Sequence, residues 1–363
     1  MKRTIGIKLI TTKDQSLQLE MLRDSFLTAC NAIVPFAIQQ RCWNRVALHN
    51  LAYSQIRTSS PLGSQMVCNA IFAVCKAYRA KMIAKDEPVP MIQFRKSRSV
   101  HFDQRTYSMK DNLLSLYTLQ GRIRVEMRIG KFQQELLSLG IPKEADLTYK
   151  KGYWYFHLVL DLPDPALSER TGMLGVDLGE NVLAATSSGQ LYGGGQVRYA
   201  RDQFLSKRRR LQSNGSQSAK QLLKKISGKE ARRIKHINHN VSKRIIQEAM
   251  NTQAGMIVME DLTHIRKRIK AGKKVKSRLH RWAFYQLQTM IQYKAEGLGL
   301  QVLYVNPAYS SQICSHCDQT GKRNRHLFTC SCGNQQHSDL NASRNLCRFA
   351  QSIGRATCTV NCT

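Results

Sequence analysis

Acidic residues are scarce in this chain: 24 Asp and Glu stand against 56 Lys and Arg over 363 residues, a formal net charge of +32. A surplus of that size makes a polyanion the default partner. Long apolar runs are also missing, since no stretch reaches the ~18 residues that a bilayer-crossing helix needs. The opening MKRTIGIKLI has neither an extended apolar region nor a cleavage site, so a membrane or secreted protein is not expected. Eleven cysteines are present, yet the count is odd and four cluster late, which fits a metal better than a disulfide framework. A hydrophobic content of 42% excludes wholesale disorder. The length suits two to four domains at about 100–200 residues each. A cytosolic nucleic-acid protein is the first expectation.

The positive charge is concentrated. Residues 201–281 hold 23 Lys and Arg against five Asp and Glu, whereas residues 1–172 hold 25 against 14. Much of the dense segment has helical periodicity: in 241–250 Val241, Ile245, Ile246 and Ala249 share one side, while Lys243, Arg244 and Gln247 lie elsewhere. A packed helix with such a basic outer face can follow a phosphate backbone, and a solvated face is the plainer alternative. Arg208, Arg209, Lys243 and Arg244 are therefore candidate nucleic-acid contacts. The stretch 266–278, RKRIKAGKKVKSR, has no apolar stripe and reads as a basic loop.

TIGIKLI (4–10) alternates as a strand. Apolar residues then recur every three or four positions from Ser16 to about Asn50, a helix in which Pro35 predicts a kink or break. A second helix is expected over 64–85, with Val67, Ile71, Val74 and Cys75 inward. Cys30, Cys42, Cys68 and Cys75 read as small buried residues and not ligands. Short strands follow, with RIRVEMRIG (122–130) and KKGYWYFHLVLDL (150–162) the clearest. This predicts a β-domain (1–13 and 96–172) interrupted by a helical one (14–95). From 173 onward the order βββ–α–β–α–β fits an α/β layer with a mixed sheet. Asp177 and Glu260 end two of its strands, where sites in open α/β sheets collect.

Cys314, Cys317, Cys330 and Cys332 form two short pairs, and four thiolates make a closed tetrahedral shell for structural Zn²⁺. The second pair is C-x-C where two intervening residues are usual. His316, His326 or His337 would stand in if that tight knuckle cannot reach. Cys347, Cys358 and Cys362 lie outside the pattern. Just after the ribbon Ser338 or Asp339 can cap a helix, unless Asp339 joins Asp177 and Glu260; Leu340, Leu346, Phe349 and Ile353 mark that helix's apolar face. Three carboxylates gathered in one domain repel, so they need a divalent cation or an Arg. Magnesium suits them because it takes oxygen ligands and keeps waters.

GVDLGEN (175–181), MEDL (259–262), the four cysteines and SDLNASRNL (338–346), with 278–317 between them, resemble the RuvC-like nuclease of transposon-encoded TnpB (OrfB) proteins. Compact type V CRISPR effectors share the scheme. The resemblance implies an RNase H-like fold (173–313 and 334–363) with an inserted zinc ribbon (314–333), preceded by a β-rich wedge domain that a helical recognition domain interrupts. It implies Asp177, Glu260 and Asp339 as a Mg²⁺-binding catalytic triad. A guide RNA and double-stranded, then unwound, target DNA beside a short adjacent motif are the implied partners, with Tyr53 and Gln65 near that motif. For Tyr53 the plainer reading is a packing aromatic. A prokaryotic, cytoplasmic and nucleoid-associated protein with no membrane partner is expected, of unspecified oligomeric state. Other readings are a cleavage-dead RNA-guided repressor, a junction nuclease with the same core, a DNA-joining transposase, and simple zinc-ribbon binding. In the repressor, substitution of the carboxylates would leave function unchanged, and simple zinc-ribbon binding leaves the placement of Asp177 and Glu260 as accident.

Overall fold

The structure, a computed structural model, describes residues 1–179, 181–262, 284–306 and 310–360. The chain divides into two compact units, Met1–Pro163 and Asp164–Thr363.

The first unit is built on β1 (Lys2–Ile10), whose alternation turns Ile5, Ile7 and Leu9 inward. Three helices follow: α1 (Lys13–Gln39), α2 (Arg45–Ser59) and α3 (Ser64–Arg79). Thr12 and Gln15 cap α1 reciprocally, which satisfies amide groups that the first turn leaves unpaired. Pro35 lies inside α1 without ending it. The expected break falls later, at 40–44, where Arg41 adopts φ 43° and Asn44 caps α2. Pro35 removes the one N–H that would bond the Asn31 carbonyl, and only about one turn of α1 follows it. α3 stops at Arg79, short of 85, and Met82 beyond it adopts φ 48°. By length and composition α1 could cross a membrane, but half of its most apolar window is buried in this unit, as in a core helix.

The strands β2 (Val100–Phe102), β3 (Tyr107–Lys110), β4 (Leu113–Thr118), β5 (Gly121–Arg128), β6 (Ile141–Lys150) and β7 (Tyr153–Asp161) complete a seven-stranded sheet, ordered β2-β6-β7-β1-β5-β4-β3. A short helix unforeseen in the sequence, α4 (Lys131–Leu139), joins β5 to β6, with Gln133 reaching back to the Gly130 N–H. Helices and sheet share one hydrophobic core that includes Phe26, Val67, Phe102 and Trp154.

The second unit holds a five-stranded mixed sheet. β8 (Gly172–Asp177), β9 (Val182–Thr186) and β10 (Leu191–Gly193) form an antiparallel meander. The basic helices α5 (Gly195–Asn214) and α6 (Gln217–Asn251) then lead to β11 (Ala254–Glu260), which pairs parallel with β8. Helix α7 (Phe284–Glu296) leads to β12 (Gln301–Val305), parallel to β11. The order is β10-β9-β8-β11-β12. On one face Leu174, Val176, Ile257 and Met259 pack with Ile245 of α6 and Ile291 of α7. On the other, Val258 and Val305 meet Leu346 and Ala350 of α8 (Ser338–Val360). Between β12 and α8 stands a small sheet of β13 (Lys322–Asn324), β14 (Leu327–Thr329) and β15 (Gln335–His337).

The approach of α8 to β8 depends on a missing side chain. A Cβ on Gly175 would lie 2.0 Å from the Ser343 carbonyl oxygen, so neither backbone could keep its place. Gly175→Ala is expected to destabilise the protein by about 1–3 kcal/mol through this overpacking. A thermal melt unchanged from the parent would refute that account.

Candidate active site and metal centre

Two parallel strands bring the first two acids together. Val176 of β8 pairs with Met259 of β11, so the next residues, Asp177 and Glu260, emerge side by side at the sheet's end. Asp339 enters from the first turn of α8. Its N–H donates to His337 Nδ1 at 3.3 Å, so the imidazole takes the capping role expected of Ser338 or Asp339. The Asp339 carboxylate instead accepts from Arg323 Nη2 at 3.1 Å and from Ser338 Oγ at 3.3 Å.

The three acids act on one another electrostatically. Burial pushes the Asp177 carboxyl well above its ordinary 3.8, and the charges of Glu260 and Asp339 push it further, with Arg323 opposing. Glu260 is raised by burial and by Asp339, against the hydrogen bond that Ser310 Oγ donates at 2.9 Å. Carboxylates held this way favour either a proton or a divalent cation. An all-oxygen donor set fits Mg²⁺ in its chemistry.

Several supporting residues owe their roles to tertiary approach alone. Asn341 Nδ2 and Asn345 Nδ2 each donate to the Ile313 carbonyl at 2.7 Å, and Asn345 also reaches Ser310 O at 2.8 Å. They fix the segment that carries Ser310 to Glu260. Gln288 of α7 donates to the Glu260 carbonyl at 2.6 Å. The face of α8 that turns inward is thus largely small and polar, with Asn341, Ser343 and Asn345 buried. Of the apolar stripe expected there, Leu346 is buried, while Leu340 and Phe349 are only partly so.

The four cysteine sulfurs lie within 4.8 Å of one another. Cys314 and Cys332 are 3.7 Å apart, and Cys317 and Cys330 3.5 Å. A tetrahedral Zn²⁺ with bonds of about 2.3 Å separates its sulfurs by about 3.8 Å, so the donor set fits zinc. The C-x-C knuckle reaches because Gly333, at φ 87°, closes a turn in which its N–H donates to Cys330 O. No histidine replaces a cysteine. His326 and His337 instead lie with Asp339, one ligand atom of each within 4.8 Å of the others. Burial works against the Cys314 thiolate, yet donors from Asn334 and the His316 and Cys317 backbone bring its thiol down to about 6.

Two family models match the chain. One, described as "Probable transposase" (OrfB_IS605), covers residues 157–266, and the other, the Cas12f1-like TNB domain, covers 284–346. The first spans Asp177 and Glu260, the second the cysteines and Asp339. A TnpB-like protein of Methanocaldococcus jannaschii is 38% identical over 42% of this chain and 57% of its own length. The CRISPR-associated endodeoxyribonuclease Cas12f1 of Sulfoacidibacillus thermotolerans is 32% identical over 54% of this chain and 50% of its own. Over its second unit this chain is similar to the TnpB-like and Cas12f1 proteins. It spans about half the length of the curated relatives it matches. Among solved structures, CasPhi-2 (Cas12j) bound to crRNA superimposes with a TM-score of 0.57 at 11% identity, over 96% of this chain and 98% of that one. That likeness is one of fold alone.

The nucleic-acid candidates divide between the two units. Tyr53 stacks on His49 at 4.5 Å and packs against the first unit's core. Gln65 donates to Asp103 Oδ2 at 2.6 Å and accepts from Arg105. Arg208 pairs with Glu230 at 3.3 Å, Arg209 and Lys243 are exposed, and Arg244 lies 5.1 Å over the Tyr192 ring. The basic stretch 266–278, Cys362 and the side chains of Ile353 and Cys358 lie outside what the structure describes.

Zinc should be integral to this unit. Cys314→Ser, or chelation of the metal, is expected to lower the melting temperature and the zinc content together; an unaltered melt after complete zinc loss would refute a structural role. The acids give a pH signature of opposite sense to an ordinary salt-bridged carboxylate. Asp177 and Glu260 are raised in the folded state, so their stabilising contribution is full below about pH 4 and is lost as pH rises through the folded values. In magnesium-free buffer with zinc retained, Asp177→Asn should flatten that decline, and Mg²⁺ should offset it in the parent. Equal slopes in the two proteins would show that the acids are uncoupled.

Proposed function

We propose that this chain is an RNA-guided, Mg²⁺-dependent DNA endonuclease that cuts target DNA next to a short adjacent motif. The observation that carries the reading is the trio Asp177, Glu260 and Asp339, drawn from three elements to one sheet end and coupled electrostatically. The relatives' names agree: one is a CRISPR-associated endodeoxyribonuclease, and another, from Escherichia coli, is called a "Putative RNA-guided DNA endonuclease InsQ".

Asp177, Glu260 and Asp339 would hold the divalent ions. When bound, such ions activate water and stabilise a leaving oxygen at a phosphodiester. Ser310 keeps the Glu260 carboxylate turned to the group, and Gln288 anchors the strand end beneath it. Arg323, exposed on the ribbon and in contact with Asp339, supplies a cation that can meet a phosphate. Guide RNA and target DNA would lie on the basic surface that the surplus of Lys and Arg provides, with base pairing reading the sequence. In this reading the β-rich part of the first unit acts as the wedge and α1–α3 as the recognition helices. Tyr53 and Gln65 approach the adjacent motif, and the site of action is the prokaryotic cytoplasm.

A cleavage-dead RNA-guided repressor is disfavoured because all three acids are present and meet. The test has two steps. The protein is expressed with its flanking DNA and the co-purifying RNA is sequenced; one discrete species is expected, and a random smear of host RNA would undo RNA guidance. That RNA then guides cleavage assays with Mg²⁺. Asp177→Ala should lower cutting by about 10²–10³-fold or more while target binding persists, as loss of a group stabilising charge in the transition state does. Undiminished cutting would sink the assignment.

A further inference from the structure

The ribbon carries a second set of metal-competent side chains that its four cysteines do not use. His326 precedes β14 and His337 ends β15, and the antiparallel pairing of these strands sets Leu327 opposite His337. The two imidazoles stack, with centroids 5.4 Å apart and planes at 17°. The backbone locks their spacing, because the Ser338 N–H donates to the His326 carbonyl at 2.8 Å. Asp339 completes the set. Its Oδ1 is held by Arg323, and its Oδ2 faces His337 Nδ1 at 3.9 Å. One ligand atom from each residue falls within 4.8 Å of the others, and His326 is exposed, so an ion can enter from solvent.

We infer that His326, His337 and Asp339 form a binding site for a late first-row divalent cation, such as Zn²⁺ or Co²⁺, separate from the cysteine centre. Two imidazole nitrogens and one carboxylate leave coordination positions open, and nitrogen donors select such ions over Mg²⁺. Asp177 and Glu260 offer only oxygen and keep the opposite preference. The two sites share Asp339. An ion on the histidines therefore draws that carboxylate away from the proposed Mg²⁺ set, and the histidine pair becomes an inhibitory sensor of transition metal. Its consequence for cutting rests on the proposed nuclease function, whereas the binding itself does not.

The experiment uses tag-free full-length protein whose ribbon is filled with zinc, confirmed by elemental analysis. Titration with Co²⁺ should show one further equivalent per chain, with weak ligand-field bands and no sulfur-to-cobalt charge transfer. His326→Ala and His326→Gln should each weaken that uptake by at least about tenfold, since losing even an outer-shell partner costs about 10–100-fold. Retained ribbon zinc and an unchanged melt verify that both variants fold. Absence of the further equivalent, a thiolate signature, or uptake indifferent to both substitutions would overturn the site. In cleavage assays with excess Mg²⁺, micromolar Zn²⁺ should slow the parent and spare the His326 variants; equal inhibition of both would overturn the sharing of Asp339. If no cleavage occurs under any condition, the proposed function falls and the cobalt titration still decides the metal site.

Discussion

Like charges brought together must be held together, and that constraint organises the second unit. Two unit charges about 5 Å apart at an effective dielectric of about 20 repel by roughly 3 kcal/mol, and here three carboxylates converge. The fold meets this cost with rigid elements on every side. Parallel pairing of β8 with β11 fixes Asp177 beside Glu260. A hydrogen bond from Ser310 and the guanidinium of Arg323 offset part of the negative charge. Burial first, and then the charge that remains uncompensated, raises Asp177 and Glu260 and leaves the group ready for a cation.

The third acid could be placed there only by bringing a helix unusually close to a sheet. Gly175 in β8 makes the space, and Ser343 of α8 brings its carbonyl into it. The same helix turns Asn341 and Asn345 inward, where an ordinary core helix would present Leu. Those amides hold the Ser310–Ile313 segment by its carbonyls, so α8 positions Asp339 directly and Glu260 through Ser310. A helix chosen for apolar packing alone would have supplied neither.

This explains what was legible in the sequence. The strand-end acids and the cysteine pairs could be read because their chemistry demands particular residue types at short spacings. The alternation of β1 and the stripe of α6 could be read because burial on one face imposes a period. Asn341 and Asn345 could not, since a buried amide leaves no periodic trace and its partner lies some thirty residues away. Ser310 and Arg323 acquire meaning only through tertiary approach. The break at 40–44 was misplaced onto Pro35 because proline is the louder signal, although Arg41 and Asn44 do the breaking.

The ribbon's place between the second and third acids then has a physical reason. It is a rigid insert whose exit strand, β15, runs directly into α8, so whatever orients the ribbon orients Asp339. Its two knuckles are tied to that helix from several directions. Asn341 accepts from the Ser315 N–H at 2.9 Å, and Arg348 donates to the Cys314 carbonyl at 3.3 Å and to the Asp318 carboxylate. Arg323 projects from the ribbon's first strand onto the carboxylate itself. Zinc in the cysteine shell would therefore do more than fold a small sheet. By stiffening the insert, it would fix the distance between a cation and a carboxylate on which the balance of charge at the sheet's end depends.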